Sequence, residues 1–323
     1  MSGHRLRYLS RADIAALALP PAAVADAIAA MFAEKAAGRT SMVPKSHFKA
    51  AGGTSFFSMP AALGDPPIAA VKWIGLAHDN ATRGLPHISG VIVLSDTVTG
   101  LPVAIMDGEW VTAARTAGMS AVAARHLARP DSRTIGFIAC GTQARSHLAA
   151  LAAMLPLRRV IAYGHRHATA EAFAAEARGQ GFEAVVAAAP NEAVAHADIV
   201  VTSVPEQPGL DPFLDPAWLK PGAFVAAVDL GRCWHKAGLR DLDRLVTDDH
   251  GQSRAMAPSG RLAWPGDYDA DLTELVGGAK PGRGNGAERA MFIFSGLALA
   301  DAAVAARLYT EATHLDKGTL LPL

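Results

Sequence analysis

Two cysteines, Cys140 and Cys233, are all that 323 residues contain, and they stand far apart. That scarcity argues against a disulfide framework and against a cysteine metal clip. Charge of one sign is lacking as well, with 30 Lys and Arg against 30 Asp and Glu, so nothing recruits nucleic acid or an anionic membrane. No apolar run is long and charge-free enough to span a bilayer, and the start, Met1-Ser-Gly-His-Arg5, has no apolar signal core. A soluble cytoplasmic protein is the expectation. The 12 His fall at no metal-ligand spacing, and neither H-E-x-x-H nor C-x-x-C occurs, so no metal site is expected. Apolar residues are plentiful, at 50%, which excludes disorder. The length exceeds what one core usually serves and points to two domains.

The most informative stretch is Arg133-Thr-Ile-Gly-Phe-Ile-Ala-Cys-Gly-Thr-Gln-Ala-Arg145. A short apolar run ends in small residues and then opens a helix, the pattern of strand, tight turn and helix N-terminus. Exposed N–H groups and the helix dipole make such a turn a seat for a pyrophosphate. Ala139, Gly141 and Ala144 form a variant of the G-x-G-x-x-G/A fingerprint. About twenty residues on, where a dinucleotide fold places its ribose-recognising residue, Leu157–Tyr163 reads as a second strand. It is followed by Gly164-His165-Arg166-His167 in place of an acid. Arg166 with His165 suits a 2′-phosphate, which an acid would repel; the competing reading is a solvated basic loop.

Along the rest of the chain, residues 20–38 read as an amphipathic helix. Four β-type runs follow at 55–59, 68–74, 89–94 and 103–106, with a hairpin loop at Asp96–Gly100, and imply an α+β domain on a mostly antiparallel sheet. An Ala-rich helix from Thr112 to Ala128 leads to the fingerprint strand. Strands at 134–138, 158–163, 182–186, 198–203, 223–228 and 245–247 alternate with helices at about 142–154, 168–178 and 190–196, which implies a parallel sheet. Residues 290–312 read as one long buried helix returning to the first domain.

The segments Met59-Pro-Ala61, Lys72, Gly84-Leu-Pro-His-Ile88, Val93-Leu-Ser-Asp96, Thr99-Gly-Leu-Pro102, Thr112-Ala-Ala-Arg-Thr-Ala117, Gly141-Thr-Gln-Ala-Arg145 and Phe294–Asp301 together resemble the ornithine cyclodeaminase/mu-crystallin family over nearly the full length. The resemblance implies an α/β protein: a Rossmann-type doubly wound parallel sheet at 127–297, plus an α+β dimerisation and substrate domain at 1–126 and 298–323, made from both chain ends. It implies a homodimer, a small amino or imino acid as partner, and a nicotinamide cofactor, which His165 and Arg166 make NADP(H) ahead of NAD(H). Cofactor contacts are expected from Arg115, Thr116, Cys140, Gly141, Thr142, Gln143, Ala144, His165, Arg166, Thr202, Ser203, Val204, Ser295 and Gly296. Substrate contacts are expected from Lys45, Met59, Lys72, His87 and Arg115.

In the family, the positions of Lys72 and Arg115 hold the substrate carboxylate. The chemistry agrees: a Lys inside an apolar strand needs an anion if buried, and an Arg can grip a carboxylate with two bonds. The alternatives are an outward-facing Lys72 and an Arg115 in an inter-helix salt bridge. Two departures stand out. Phe57 occupies the place of an acid that assists substrate binding in the cyclodeaminase, and in Ala227-Val-Asp-Leu-Gly-Arg232 the catalytic Asp position holds Gly231, with Asp229 two residues earlier. Asp229 is either a replacement proton carrier or a strand-end acid capping its loop. Trp73 and Trp234 flank these residues, either in a pocket wall or in core packing. The expected activity, with Lys72, Arg115 and Asp229 as catalytic residues, is hydride transfer between the nicotinamide and an amino acid or a cyclic imine such as Δ1-pyrroline-2-carboxylate. Ornithine cyclisation is the enzyme alternative, and ligand binding without turnover the other.

Overall fold

The computed structural model describes residues 3–207 and 209–323. They form two compact units, one ending at Arg115 and resuming at Leu297–Leu323, the other Thr116–Gly296. The division falls inside a continuous helix, Gly108–Leu127, nearer its start than the boundary at 126/127 expected from the sequence. Its later turns belong to the second unit: the Ser120 hydroxyl meets His147 Nε2 at 2.9 Å, and both residues are buried.

The first unit is built on an eight-stranded sheet. Its neighbours run Thr319–Pro322, Arg5–Leu9, Pro102–Asp107, Ile88–Asp96, Ile68–Leu76, Ser55–Ala62 and Ser41–Met42, with Ser46–Lys49 also paired to Ser55–Ala62. Pairing is antiparallel throughout except where Arg5–Leu9 lies parallel to Pro102–Asp107. Asp96 ties the expected hairpin loop, its Oδ1 accepting from Val98 N, Thr99 N and the Thr99 hydroxyl. Side chains alternate across the sheet, so one face carries Met59, Lys72 and Ile92 in register and the other Ser58, Trp73 and Val91. The helices Pro21–Ala36 and Ala298–His314 pack on each other, and the latter lies on the central strands. Pro21 opens its helix at a position that needs no N–H. Ile28, Met31, Phe32, Ile92, Leu94, Met106 and Leu299 fill the core.

The second unit carries an all-parallel sheet in the order Glu183–Val186, Arg159–Tyr163, Thr134–Ile138, Ile199–Thr202, Phe224–Ala227, Ala290–Ile293, Arg244–Thr247 and Ala270–Asp271. The chain steps outward from Thr134–Ile138 in one direction, then crosses back and continues on the other side, which is the doubly wound Rossmann arrangement. One expectation is corrected here. Residues 290–293 are a fully buried strand between Phe224–Ala227 and Arg244–Thr247, and the helix begins only at Ala298. Four apolar residues buried on both faces carry no period by which strand and helix could be told apart. Among the described residues no helix is long and apolar enough to cross a membrane.

Candidate active site

The fingerprint strand ends at Ile138, and Ala139 takes a left-handed φ of 73° to turn the chain. A non-glycine residue there costs about 1 kcal/mol or more, a strain repaid by the Ala139 N bond to Tyr163 O at 2.9 Å. Gly141 then caps the helix Thr142–Ala152 without any side-chain bond, and a Cβ on Gly141 would meet nothing within 4 Å. First-turn N–H groups over open space are what a dinucleotide phosphate requires. The Gln143 side-chain oxygen is buried with no partner, an acceptor beside those N–H donors that a ligand donor could fill. Arg145 fixes the bend from behind, donating to the Cys140 and Gly141 carbonyls at 2.9 and 3.1 Å while gripping Glu176 with two bonds. With the carbonyls so engaged, this bend fits a nicotinamide dinucleotide. Cys140 itself is buried against Tyr163 O, and burial pushes its thiol up to about 12, so it is a packing residue. Thr116 and Ala144 are also buried. Across the next loop, His165 and Arg166 are exposed at the end of Arg159–Tyr163.

Asp229 ends up inside the protein. Its carboxylate accepts from the Thr202 hydroxyl at 2.9 Å, Val204 N and Gly231 N at 3.2 Å, and the Cys233 thiol at 3.0 Å. Desolvation raises its pKa against those bonds. Four protein donors close this carboxylate off and fit the loop-capping reading, with Thr202 and Val204 acting as its partners. Gly231 has φ 72°, and a Cβ there would lie 3.0 Å from Ala263 Cβ and 3.3 Å from Ile293 Cδ1. The backbone at 231 is thus shaped for glycine and resists an acid. Trp234 is fully buried in the same core.

Ser295 and Gly296 are held by Gln252 and Asp248. Gln252 Nε2 donates to the Ser295 hydroxyl at 2.9 Å and Gly296 O at 2.6 Å, and Asp248 Oδ2 receives Gly296 N at 2.7 Å. Burial raises Asp248 to about 6. His250, Asp271 and Glu274 bring ligand atoms within 4.8 Å of one another, yet Asp271 and Glu274 form a reciprocal capping box and His250 bonds to Glu274, so local capping accounts for the group.

The first unit holds a buried ionic cluster. Lys72 is 1% exposed, and its Nζ lies 2.7 Å from Asp301 Oδ1 and 3.3 Å from the Thr112 hydroxyl. Arg115 Nε reaches the same Asp301 oxygen at 3.1 Å, while Asp301 Oδ2 is buried without a partner. Burial lowers the Lys72 pKa to about 7, opposed by Asp301 and reinforced by the Arg115 and Lys45 charges. Lys72 and Arg115 on one carboxylate, with the Lys45 charge felt at Lys72, leave surplus positive charge that a small carboxylate ligand would neutralise. Met59 is buried directly opposite Lys72, and Phe57 continues that face with its ring 4.7 Å from the His47 imidazole. Burial rules out the outward alternative for Lys72, whereas Arg115 does form the inter-helix salt bridge, from Gly108–Leu127 to Asp301 on Ala298–His314. Trp73 points to the opposite face, stacked on Phe56. His87 is exposed and bonds to Ala77 O.

A profile of the ornithine cyclodeaminase/mu-crystallin family matches residues 8–315. The chain belongs to this family. It is 31% identical over 306 residues to alanine dehydrogenase of Archaeoglobus fulgidus, covering 91% of each chain. A solved Δ1-pyrroline-2-carboxylate reductase of Thermococcus litoralis, in complex with NADH and L-proline, superposes with a TM-score of 0.87 at 28% identity over 97% of this chain and 99% of that one. An archaeal alanine dehydrogenase dimer with bound NAD gives 0.88 at 28% identity over 99% and 100%.

Against the family pattern, Asp301 and Arg145 are the residues that motif reasoning did not weigh as functional. Both had a signal. Asp301 is a lone acid in the apolar run Phe294–Ala306, where burial demands a cation. Arg145 stands in the first turn of the helix that follows the glycine bend, within reach of the Cys140 and Gly141 carbonyls.

Proposed function

We propose that this member of the ornithine cyclodeaminase/mu-crystallin family is a nicotinamide-dependent oxidoreductase of a small amino acid or its cyclic imine. The observation that carries the reading is the convergence of Lys72 and Arg115 on a single buried oxygen. Such a cationic pair, with Lys45 adding charge, suits the carboxylate that every α-amino or α-imino acid carries. When bound, the nicotinamide supplies or accepts hydride. Arg115 orients the substrate through its carboxylate, with the Lys72 charge beside it. A Lys72 pKa near 7 lets that residue both hold and release a proton at neutral pH, which suits it to the substrate nitrogen. Phe57 offers no charge to a second amine, which supports a substrate with one nitrogen over ornithine. The Asp229 environment, closed by protein donors, is the feature that supports ligand binding without turnover as the second reading.

NADP(H) is favoured over NAD(H) because His165 and Arg166 stand exposed where an acid would select the 2′-hydroxyl. A homodimer is supported by the outer face of the first sheet, where Phe48, Phe56 and Trp73 stack with centroids 5.5–5.9 Å apart although Phe48 is 52% and Trp73 41% exposed. The structural relative described as a dimer agrees.

The test is to follow reduced-cofactor absorbance with NADPH or NADH against Δ1-pyrroline-2-carboxylate and against pyruvate plus ammonia. Cofactor oxidation with either substrate is the expected result. Release of proline and ammonia from ornithine would move the assignment to the cyclodeaminase, and thermal stabilisation by cofactor without any turnover would move it to a binding protein.

A further inference from the structure

We infer that Asp301 is a positioning residue for this reaction: its carboxylate fixes Lys72 and Arg115 and keeps on Lys72 the proton that goes to the substrate nitrogen. The inference rests on the imine-reductase reading above. Asp301 sits in the first turn of Ala298–His314, where helix geometry carries it against the strand that bears Lys72. Thr112 completes the tether. Its own hydroxyl proton goes to Gly108 O at 2.7 Å, so the hydroxyl oxygen turns a lone pair to Lys72. An ammonium has three donors, and Asp301 and Thr112 take two of them, which aims the third.

The charges facing Lys72 come from three elements. Asp301 lies on its own helix, Arg115 on Gly108–Leu127, and Lys45 just before Ser46–Lys49; the strand neighbours Met59 and Ile92 are uncharged. Asp301 is the one anion of that set. Burial and both cations push Lys72 toward the neutral amine, and Asp301 alone opposes them. In the reductive direction the imine carbon takes up hydride, the C=N π pair moves onto nitrogen, and nitrogen takes a proton from the Lys72 ammonium. Lys72 is left as the amine and is recharged from solvent. The other candidate acid, Asp229, is closed by four protein donors.

The experiment compares wild type, Asp301→Asn and Asp301→Glu by two readouts. The first is ¹⁵Nζ NMR of lysine-labelled protein without substrate, with the Lys72 signal assigned by its loss in Lys72→Met. The Asn variant should titrate at least about one pH unit below wild type, and the Glu variant should recover most of that shift. The second is the pH profile of kcat for imine reduction: the alkaline limb should move down by about the same unit, so that kcat falls about tenfold at pH 8 and recovers toward pH 6. An unmoved Lys72 titration in a folded Asn variant overturns the inference, as does a uniform loss of kcat with an unmoved limb. If wild type reduces no imine, the functional reading fails, while the NMR arm still decides whether Asp301 governs the Lys72 proton.

Discussion

Asp229 and Asp301 are both buried carboxylates in one chain, and they are stabilised in opposite ways. Asp229 is wrapped by a hydroxyl, a thiol and two backbone N–H groups, all neutral and all belonging to its own loop and the adjoining strand end. Asp301 faces Lys72 and Arg115 through one oxygen and leaves the other without a partner. The first arrangement spends a carboxylate on holding backbone; the second holds charge in readiness. Neutral donors satisfy a carboxylate completely and leave it inert, whereas cations brought in by separate elements create a field that a ligand can share.

The largest test of that contrast removes the Asp301 charge. Asp301→Ala strands two buried cations and should cost about 3–5 kcal/mol in urea unfolding near pH 6. The loss should shrink above pH 7, because Lys72 then sheds its proton. A loss independent of pH would mean that the cluster is ordinary packing.

His147 sharpens the comparison from the side of neutral satisfaction. Its ring bonds Gln143 O at 2.7 Å and the Ser120 hydroxyl at 2.9 Å, and burial lowers its pKa to about 4. The folded state therefore binds fewer protons than the unfolded chain between about 4 and 6.5, so stability is full above the unfolded pKa and falls with falling pH. The loss should reach about 3 kcal/mol, seen as a steeper acid-side slope in wild type than in His147→Gln. Asp248, raised to about 6, works in the opposite direction, which is why the variant is compared and not the slope alone.

Asp229→Asn should cost about 1–3 kcal/mol by setting an amide against existing donors, while the pH limbs of kcat stay in place. A limb that disappears would restore Asp229 as proton carrier. The smallest effect is expected at the exposed Arg166, where Arg166→Ala should raise the NADPH KM about tenfold, roughly 1.4 kcal/mol, and leave NADH unchanged. Equal changes for both cofactors would remove the 2′-phosphate role.

The bend at Ala139–Ala144 was readable because its strand, small residues and helix are contiguous and each has a local signature. Lys72 was readable because a charge interrupting an apolar strand must be explained. The strand Ala290–Ile293 was misread because burial on both faces erases periodicity. The terminal strands Arg5–Leu9 and Thr319–Pro322 pair with each other across the length of the chain, so their local pattern carries little of the signal. Asp301 was visible within a motif, yet its role required knowing that its helix lies on the strand carrying Lys72.

Local order, then, was written in the residues themselves: the alternation of strand and helix, the turn with an uncapped helix end, and the place of each chemistry-bearing side chain along its own element. The partnership of those side chains was settled only by the folded chain. Lys72 and Asp301 are 229 residues apart, and their electrostatic coupling depends on distance and on excluded water, neither of which is a property of separation along a sequence.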